Sequence, residues 1–551
     1  MIVNNGIPIK GVHLSFSAQM PRFEAILGMI DDLAHWGFNT FFLDYCGRFP
    51  FEGRLEKARM PDAFTKEQLL AILAKAEKNG IQIIPVLQCL GHMYWLLRLD
   101  EFADYGEGQG NEHQPVPLFG VKLSLAGLCP SHPDSLALFE EMADQMLSLH
   151  GNLRYFHIGG DEVELDPGCL RCKSRHETEG PGNILADYYK KAACLIRSKG
   201  PDPIMWGDMI CAHPETFDSL RGHVTVMDWD YWSTLGPQPW CMLWGVRGNA
   251  DKHNPETWRE IQKKILRPYV YACEPHLFKS FPFTQLLRDQ GFPVIVAPAA
   301  RSHGGSTVVP KAMHADNTAA AVYAAIQNHS LGVVITNWDI RRSPWPLTEL
   351  ALITGGHLLN HPNATQRELD AHFAKEHFGT DDIAYAQIPR RLGQTGSDAV
   401  NAADLLSSRP TLDKPTGQRF ARPFTDKDFE WARKNPSELK NVYERLRIAA
   451  TESKAMLEKL TPREDRHKTR IALWLWACDM FLFYAELAPQ ILIQKGSHDK
   501  NVLEQLKANC ETLHARTRRL LSSHYTDYTL QSEDQVRFQI HLAYLDEMMC
   551  S

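Results

Sequence analysis

The sequence predicts an α/β fold, a (β/α)8 TIM barrel followed by a mostly α-helical C-terminal domain, on three observations. Short β-rich runs alternate with helix-patterned segments over the first two thirds of the chain, the signature of a parallel sheet with crossover helices. The β-rich runs number eight, the count that closes a barrel. After about residue 360 the strands stop and helical periodicity takes over.

The eight runs are GVHLSF (11–16), FNTFFLDY (38–45), IQIIPVLQ (81–88), RYFHIGG (154–160), DPIMWGD (202–208), VTVMDWDY (224–231), PVIVAPA (293–299) and GVVITNW (332–338). A ninth candidate, YVYACE (269–274), fits the alternation poorly. FEAILGMIDDLAHWG, KEQLLAILAKAEKNG, SLALFEEMADQMLSLHG and ILADYYKKAACLIRSKG precede strands two to five. Each carries apolar residues at helical spacing and ends in a glycine suited to a C-cap. The connections after strands three and six are long, and long loops at the C-terminal face of such a barrel are where sites are built. The expected division is a barrel over 1–360, an irregular or helical connection over 361–428 and a helical domain over 429–551. Within the connection, Gln394 to Asp426 reads as irregular because it is rich in Ser, Pro, Asp and Gly.

The bulk properties narrow the function classes. The chain has 551 residues, 44% hydrophobic and 23% charged, with net charge −7 and a pI near 6.4. That is an ordinary globular composition, and nothing in it favours a nucleic acid partner. The N-terminal MIVNNGIPIKGVHLSF has no basic n-region or long apolar h-region, so no secretory signal is expected. The apolar stretch IALWLWACDMFLFYAELAPQILI contains Asp479, Glu486 and Pro489 and reads as a buried helix rather than a membrane span. Twelve scattered cysteines point to a reducing compartment, and a cytoplasmic location is expected. There is no GxxxxGK[ST], helix-opening GxGxxG, GxSxG or HExxH, so phosphoryl transfer, dinucleotide chemistry and the corresponding hydrolases lack a motif.

Four groups of residues are candidates to carry chemistry. His157-Ile158-Gly159-Gly160-Asp161-Glu162 falls where strand four ends. Two glycines let the backbone leave the strand tightly, and two adjacent carboxylates then stand at the barrel mouth. Crowding them is expected to raise the pKa of at least one, as a general acid requires; the competing reading is an acid pair that merely caps the next helix. Trp206, Trp229, Tyr231, Trp232 and Trp338 lie at or just past strand ends, where indoles suit the apolar faces of a sugar ring and exclude water from a cationic centre. His13, His92 and His157 end three early strands; hydroxyl ligands, orienters of the acids, a zinc cluster and plain structural histidines all fit them. Cys169-x-x-Cys172, with Cys129 and His176 as distant helpers, reads as two free thiols, since one CxxC is a weak metal signal. No cofactor and no metal are expected.

HIGGDE resembles the H-x-G-G-D-E signature of glycoside hydrolase family 20. GVHLSF, FFLDYCGRFPFEG, IIPVLQCLGHM, LCPSHPDSLALFEEM, MDWDYW and VVITNWDIRRSPWPLTEL extend the resemblance to its hexosaminidase D-like branch, covering most of residues 10–355. The C-terminal third carries no matching motif. The resemblance implies a β-N-acetylhexosaminidase that removes terminal β-linked GlcNAc or GalNAc through an oxazolinium intermediate. It implies Glu162 as acid/base, Asp161 on the acetamide N–H and Tyr231 on the acetamide oxygen. By the same analogy Trp206, Trp229 and Trp338 wall the pocket, His92 and His157 support the acids, and His13 and Asp44 are candidates for sugar hydroxyls. Two acids adjacent in sequence suit this mechanism better than a carboxylate pair about 5 Å apart across the bond.

The chain also departs from the family. No Arg stands in GVHLSF, so His13, Asp44 or Arg48 is expected to take its place. Trp338-Asp339-Ile340 lacks the W-x-E acid, and Ser15 stands where the branch often has Asp. The alternatives are a glycosidase for another sugar or a sugar-binding barrel without catalysis. The partner is then a small glycan, with no nucleic acid and no membrane. The helical domain is expected to shape the aglycone side or to form a homodimer contact.

Overall fold

A computed structural model describes residues 6–108, 126–244, 251–272, 277–302, 305–339, 342–402, 423–424, 426–493 and 499–550. Its centre is a closed parallel barrel. The strands are β1 (Ile9–Ser15), β2 (Thr40–Asp44), β3 (Gln82–Val86), β4 (Tyr155–His157), β5 (Asp202–Trp206), β6 (Thr225–Trp229), β7 (Val294–Ala297), β8 (Ala299–Arg301) and β9 (Gly332–Asn337). Neighbours pair in sequence order from β1 to β7, β7 pairs with β9, and β9 closes on β1. Pro298 has no N–H to give the ladder. It divides the seventh run into β7 and β8, both paired with β9, so the eighth barrel position is held by β9. All eight expected strands are present. The ninth candidate is not a strand, because Tyr269 and Val270 end the helix Glu260–Val270 and Tyr271 makes only an isolated bridge to Phe278; its remainder reaches beyond the described residues.

Strand alternation decides what faces the barrel axis. Ile9, Phe42, Ile84, Val86, Tyr155, Ile204, Trp206, Met227, Ile295, Ala297 and Val334 form one enclosed apolar cluster. The odd-parity partners, such as Val12, Leu14, Phe41 and Leu43, join a second core under the surrounding helices. The expected helices before strands two to five span Phe23–His35, Lys66–Lys78, Ser135–His150 and Pro181–Ser198. Lys66–Lys78 begins with a capping box between Thr65 and Gln68, which satisfies two orphan donors reciprocally. His314–Gln327 and Glu349–Asn360 follow β8 and β9.

The stretch from Gln394 to Asp426 is not irregular throughout. Helix Gln387–Ala402 runs through its start, because Leu392, Gly393, Gly396 and Ala399 present a buried small-residue face; residues 403–422 and 425 lie outside the described residues. Helices Asp426–Lys434, Pro436–Leu457, Asp465–Ile493, Lys500–Leu521, Asp527–Asp534 and Ile540–Cys550 follow. Asp465–Ile493 is apolar enough by length and composition to cross a membrane, but 72% of its most apolar window is buried in the protein. Its charges are paired: Asp479 meets Lys454 at 2.8 Å, and Arg470 meets Glu349 at 2.6 Å and Asp32 at 2.8 Å.

The helical region reaches the barrel mouth. Buried Glu533 accepts hydrogen bonds from Arg342 (2.8 Å), Arg537 (2.6 Å) and Gln19 (3.2 Å). Asp339, past the end of β9, accepts from Ser17 Oγ (2.6 Å) and from the Ala18 and Gln19 N–H groups (2.6 and 2.5 Å). The loops after β1 and β9 are thus tied to each other and to the helix Asp527–Asp534.

Candidate active site

The inward parity of each strand, continued one or two residues past its C-terminal end, delivers the polar groups at the mouth. It carries His13 on β1, Asp44 on β2, Gln88 beyond β3, His157 on β4, Trp206 on β5, Trp229 on β6 and Trp338 beyond β9. The β3–β4 ladder runs past the regular strands through Leu87 N–H to His157 O and Cys89 N–H to Ile158 O, both 2.9 Å. It therefore fixes Gln88 against the turn that carries the acids.

That turn depends on Gly159. Its φ is +68°, and a Cβ there would lie 1.9 Å from Gln88 Oε1, so no side chain fits. Gln88 uses both ends of its amide: Oε1 accepts from Gly160 N–H at 3.1 Å, and Nε2 donates to Asp161 Oδ1 at 2.9 Å. His92 Nε2 lies 3.1 Å from Asp161 Oδ2 and 3.6 Å from Glu162 Oε2. The close approach of its loop relies on Gly91, where a Cβ would meet Asp161 O at 2.8 Å. Glu162 N–H donates to Asp208 Oδ2 at 2.9 Å, and Trp229 Nε1 donates to Asp208 Oδ1 at 3.2 Å. Three non-glycine residues after consecutive strands have left-handed backbones: Cys46 (φ 47°), His92 (φ 53°) and Glu162 (φ 52°). Such strain clusters at sites whose surroundings over-determine it.

Crowding of the adjacent acids is expected to raise at least one of them; Asp161 is not raised. Burial raises the Asp161 pKa, but His92 and the Gln88 donor override it and hold the carboxyl below its ordinary value. Burial lowers His92, yet Asp161, then Glu162 and Asp44, lift the imidazole to about 9. The raised carboxyls are others: burial and then the Asp161 charge push Asp44 and Asp208 each to about 7. The charge of Asp161 thus has a cationic partner, while the two carboxyls without one favour the neutral form.

Aromatic rings surround these groups. Trp229 stacks on Tyr231 with ring centroids 5.0 Å apart, and Trp338 Nε1 donates to the Tyr231 hydroxyl at 2.8 Å. Burial keeps that phenol protonated, well above its ordinary pKa. His13 is 1% exposed, lies 4.6 Å from Trp338 and 5.8 Å from Trp206 between centroids, and is driven to a pKa of about 3 by burial. It is a neutral residue buried between Trp206 and Trp338. His157 is also held near 3 by burial and then by His13; its Nδ1 accepts from Gly159 N–H at 3.0 Å, so it braces the turn rather than the acids directly. The three histidines do not converge on one point. Among the described residues, the atoms close enough here to share an ion belong to His92, Asp161 and Glu162, all within 4.8 Å of one another. Arg48 is consumed elsewhere, bonded to Phe16 O and 3.2 Å from Asp62, and Asp339 is consumed by the β1 loop; neither is free to meet a sugar hydroxyl.

A cleft walled by Asp208, Trp229, Trp232, Trp240, Trp244 and Phe281 lies on the far side of Asp208 from the acids. Its link to the acid pair is Asp208. Gln88 and Asp208 are the residues that the sequence reading missed. Both continue the inward parity of their strands, two residues past Val86 and Trp206, and that parity was the available signal.

Residues 10–238 match the family model described as glycosyl hydrolase family 20, catalytic domain. Hexosaminidase D of Bos taurus is 30% identical over 233 residues, covering 41% of this chain and 63% of that protein. Hexosaminidase D of Homo sapiens is 29% identical over 231 residues, covering 41% of this chain and 45% of that protein. The chain spans less than two thirds of the length of these relatives. A solved exo-β-N-acetylglucosaminidase from Vibrio harveyi aligns with TM-score 0.47 and 15% identity over 70% of this chain and 58% of that one. The match over residues 10–238 contains the strand-four turn and its two acids, and over that span the chain is similar to the catalytic domain of glycosyl hydrolase family 20 and to the hexosaminidase D proteins.

Proposed function

We propose that this chain is an exo-acting, retaining β-N-acetylhexosaminidase that hydrolyses terminal β-linked GlcNAc or GalNAc with the substrate's own acetamide as nucleophile. One observation carries the reading: Asp161 and Glu162 both approach the same imidazole nitrogen, His92 Nε2, at 3.1 and 3.6 Å. The two carboxylates have oxygens within 4.8 Å of one another around that nitrogen and leave the same turn, which suits them poorly to act as opposed acid and nucleophile across C1. They fit a division of labour on one side of the ring.

In the first step the acetamide carbonyl oxygen attacks C1 and the bond from C1 to the aglycone oxygen breaks. Glu162 gives its proton to that oxygen. Asp161, ionised through Gln88 and His92, accepts the acetamide N–H bond and stabilises the positive charge spreading over the oxazolinium ring. The Tyr231 hydroxyl, already accepting from Trp338 Nε1, donates to the acetamide oxygen and holds it in line. The attack is intramolecular, so orientation replaces a bimolecular encounter. In the second step water attacks C1, Glu162 takes its proton, and the ring reopens to the free sugar with retained configuration. A cytoplasmic location and a homodimer contact through the helical region belong to this proposal.

The test compares aryl β-GlcNAc, β-GalNAc and β-glucoside as substrates, with a thiazoline mimic of the cyclic intermediate as inhibitor. The proposal expects turnover of the N-acetyl substrates alone and tight thiazoline inhibition. Turnover of the glucoside at a comparable rate would overturn it in favour of a glycosidase for another sugar. No turnover with retained sugar binding would leave a binding barrel instead.

A further inference from the structure

The loops after β3 and β4 gather four ligand-type side chains outside the acid pair. Cys129 Sγ lies 4.0 Å from Cys169 Sγ and 3.5 Å from Cys172 Sγ. Cys172 Sγ lies 3.4 Å from Glu107 Oε2, and the four ligand atoms fall within 4.8 Å of one another. All three cysteines are 0% exposed and Glu107 is 1% exposed. Of the two helpers the sequence offered to Cys169 and Cys172, Cys129 joins the group and His176 does not, and the fold adds Glu107, which the sequence reading omitted.

The separations identify the chemistry. A disulfide holds its sulfurs about 2.05 Å apart, far inside these distances. A tetrahedral zinc ion with bonds of about 2.3 Å to sulfur and 2.0–2.2 Å to oxygen sets sulfurs about 3.8 Å apart and sulfur to oxygen about 3.5 Å. The contacts of 3.5, 4.0 and 3.4 Å straddle those values.

The supporting structure fits as well. Cys172 N–H and Lys173 N–H both bond to Cys169 O, at 3.1 and 2.9 Å, making a tight knuckle. Ser131 Oγ lies 3.3 Å from Cys172 Sγ. Glu107 Oε1 accepts Asp166 N–H at 3.1 Å, which orients the carboxylate and leaves Oε2 facing the sulfurs. A dry carboxylate among thiols is costly without a cation to neutralise it.

We propose that Glu107, Cys129, Cys169 and Cys172 form a closed structural site for zinc that staples the loop after β3 to the loop carrying the acid pair. Soft thiolates select zinc over harder divalent ions, and four protein ligands leave no open position for catalysis. Binding releases the thiol protons to solvent and converts three sulfurs to thiolates, with no change of oxidation state. Cys169 stands seven residues after Glu162, so the staple fixes the far side of the turn that Gln88 and His92 grip from within. This proposal does not depend on the sugar chemistry above.

The test uses the full chain, expressed with zinc and purified without a metal-affinity step. Elemental analysis is expected to give about one zinc per chain. Cobalt substitution is expected to give sulfur-to-cobalt charge-transfer bands, which the His92–Asp161–Glu162 group cannot produce. Cys169→Ser with Cys172→Ser should bring the metal to background, while Cys510→Ser and Asp161→Asn with Glu162→Gln should keep it. A strong chelator should lower Tm by several degrees. If the cysteine variants fail to fold, the metal content and cobalt spectrum of the unsubstituted chain still decide. Metal at background after zinc dialysis, or cobalt bound without thiolate bands, would overturn the proposal. So would an intact mass about 2 Da low from a disulfide among these cysteines.

Discussion

Replacing Gln88 tests whether the acid pair is set up by its neighbours or only by its own position in the turn. The amide donates to Asp161 Oδ1 at 2.9 Å and accepts from Gly160 N–H at 3.1 Å. A hydrogen bond to a charged group contributes roughly 1.5–3 kcal/mol, so Gln88→Leu should lower kcat/KM on an aryl N-acetylhexosaminide by about ten- to a hundredfold. Gln88→Glu is the sharper variant. Protonated, a glutamic acid copies the amide, donating to Asp161 and accepting from Gly160. Ionised, it would set two carboxylates about 2.9 Å apart, a repulsion of about 6 kcal/mol at an effective dielectric of about 20. The pair should therefore keep one proton well above the usual carboxylate range. The assay is kcat/KM between about pH 4 and 8, with Tm recorded for each variant to confirm folding. Activity close to the unsubstituted protein is expected at the acid end, falling about tenfold per pH unit once the shared proton leaves. A Gln88→Glu profile parallel to the unsubstituted one, or a Gln88→Leu variant with unchanged kcat/KM, would refute the reasoning.

Glu162 holds a left-handed φ of 52°, a conformation that costs a residue with a Cβ about 1–2 kcal/mol; Glu162→Gly should be about that much more stable than Glu162→Ala in urea unfolding, and equal stabilities would remove the strain from the account. Tyr231→Phe strips the acceptor from Trp338 Nε1, which lies 2.8 Å away; an unpaired buried donor costs about 1–3 kcal/mol, so a lower Tm is expected with at least a tenfold loss of kcat/KM on N-acetyl substrates, and retention of both would detach Tyr231 from the site. Asp44 is raised from 3.8 to about 7 in the folded protein, so folding loses stability as pH rises from about 4 to 7 while the unfolded carboxyl is already ionised. Asp44→Asn removes that loss, and the variant should gain Tm at pH 8 relative to the unsubstituted chain but not at pH 4; a gain independent of pH would rule out the buried carboxyl as its source.

The barrel was legible because its signals are local. Eight apolar runs and the glycine-ended helices between them carry their own periodicity, and His157 to Glu162 announces a strand end by its glycines. Pairings between distant segments were not legible. Gln88 sits 73 residues from Asp161, and Asp208 sits 46 from Glu162; in sequence each is one polar residue at the end of a run. The same holds for Glu107 beside Cys172, and for Glu533, which meets Arg342 across 191 residues. Gln387–Ala402 was misread for a different reason. Its Gly393 and Gly396 look like loop residues, yet a Cβ at Gly393 would lie 2.6 Å from Pro310 O, and one at Gly396 would lie 2.8 Å from the Phe481 ring. They are small because the helix packs closely, a tertiary demand that overrides propensity.

The arrangement of charge gives the site its asymmetry. Asp44, Asp161 and Asp208 are all buried, Asp44 and Asp208 each lie within electrostatic reach of Asp161, and burial penalises each anion. The local cation, His92, bonds to Asp161 rather than to the other two. Asp161 also accepts from Gln88 Nε2, in an amide that is held in place by Gly160 N–H donating to Gln88 Oε1. Asp208, by contrast, receives a backbone N–H and an indole N–H, both uncharged donors, and Asp44 receives only a weak thiol contact from Cys46 at 3.6 Å. Negative charge therefore concentrates on one carboxylate while its neighbours resist ionising, so the field at the mouth points to Asp161. Under the proposed mechanism an acetamide N–H entering beside Glu162 would meet that anion, so the residues that pin Asp161 are expected to matter to the chemistry as much as the acids do.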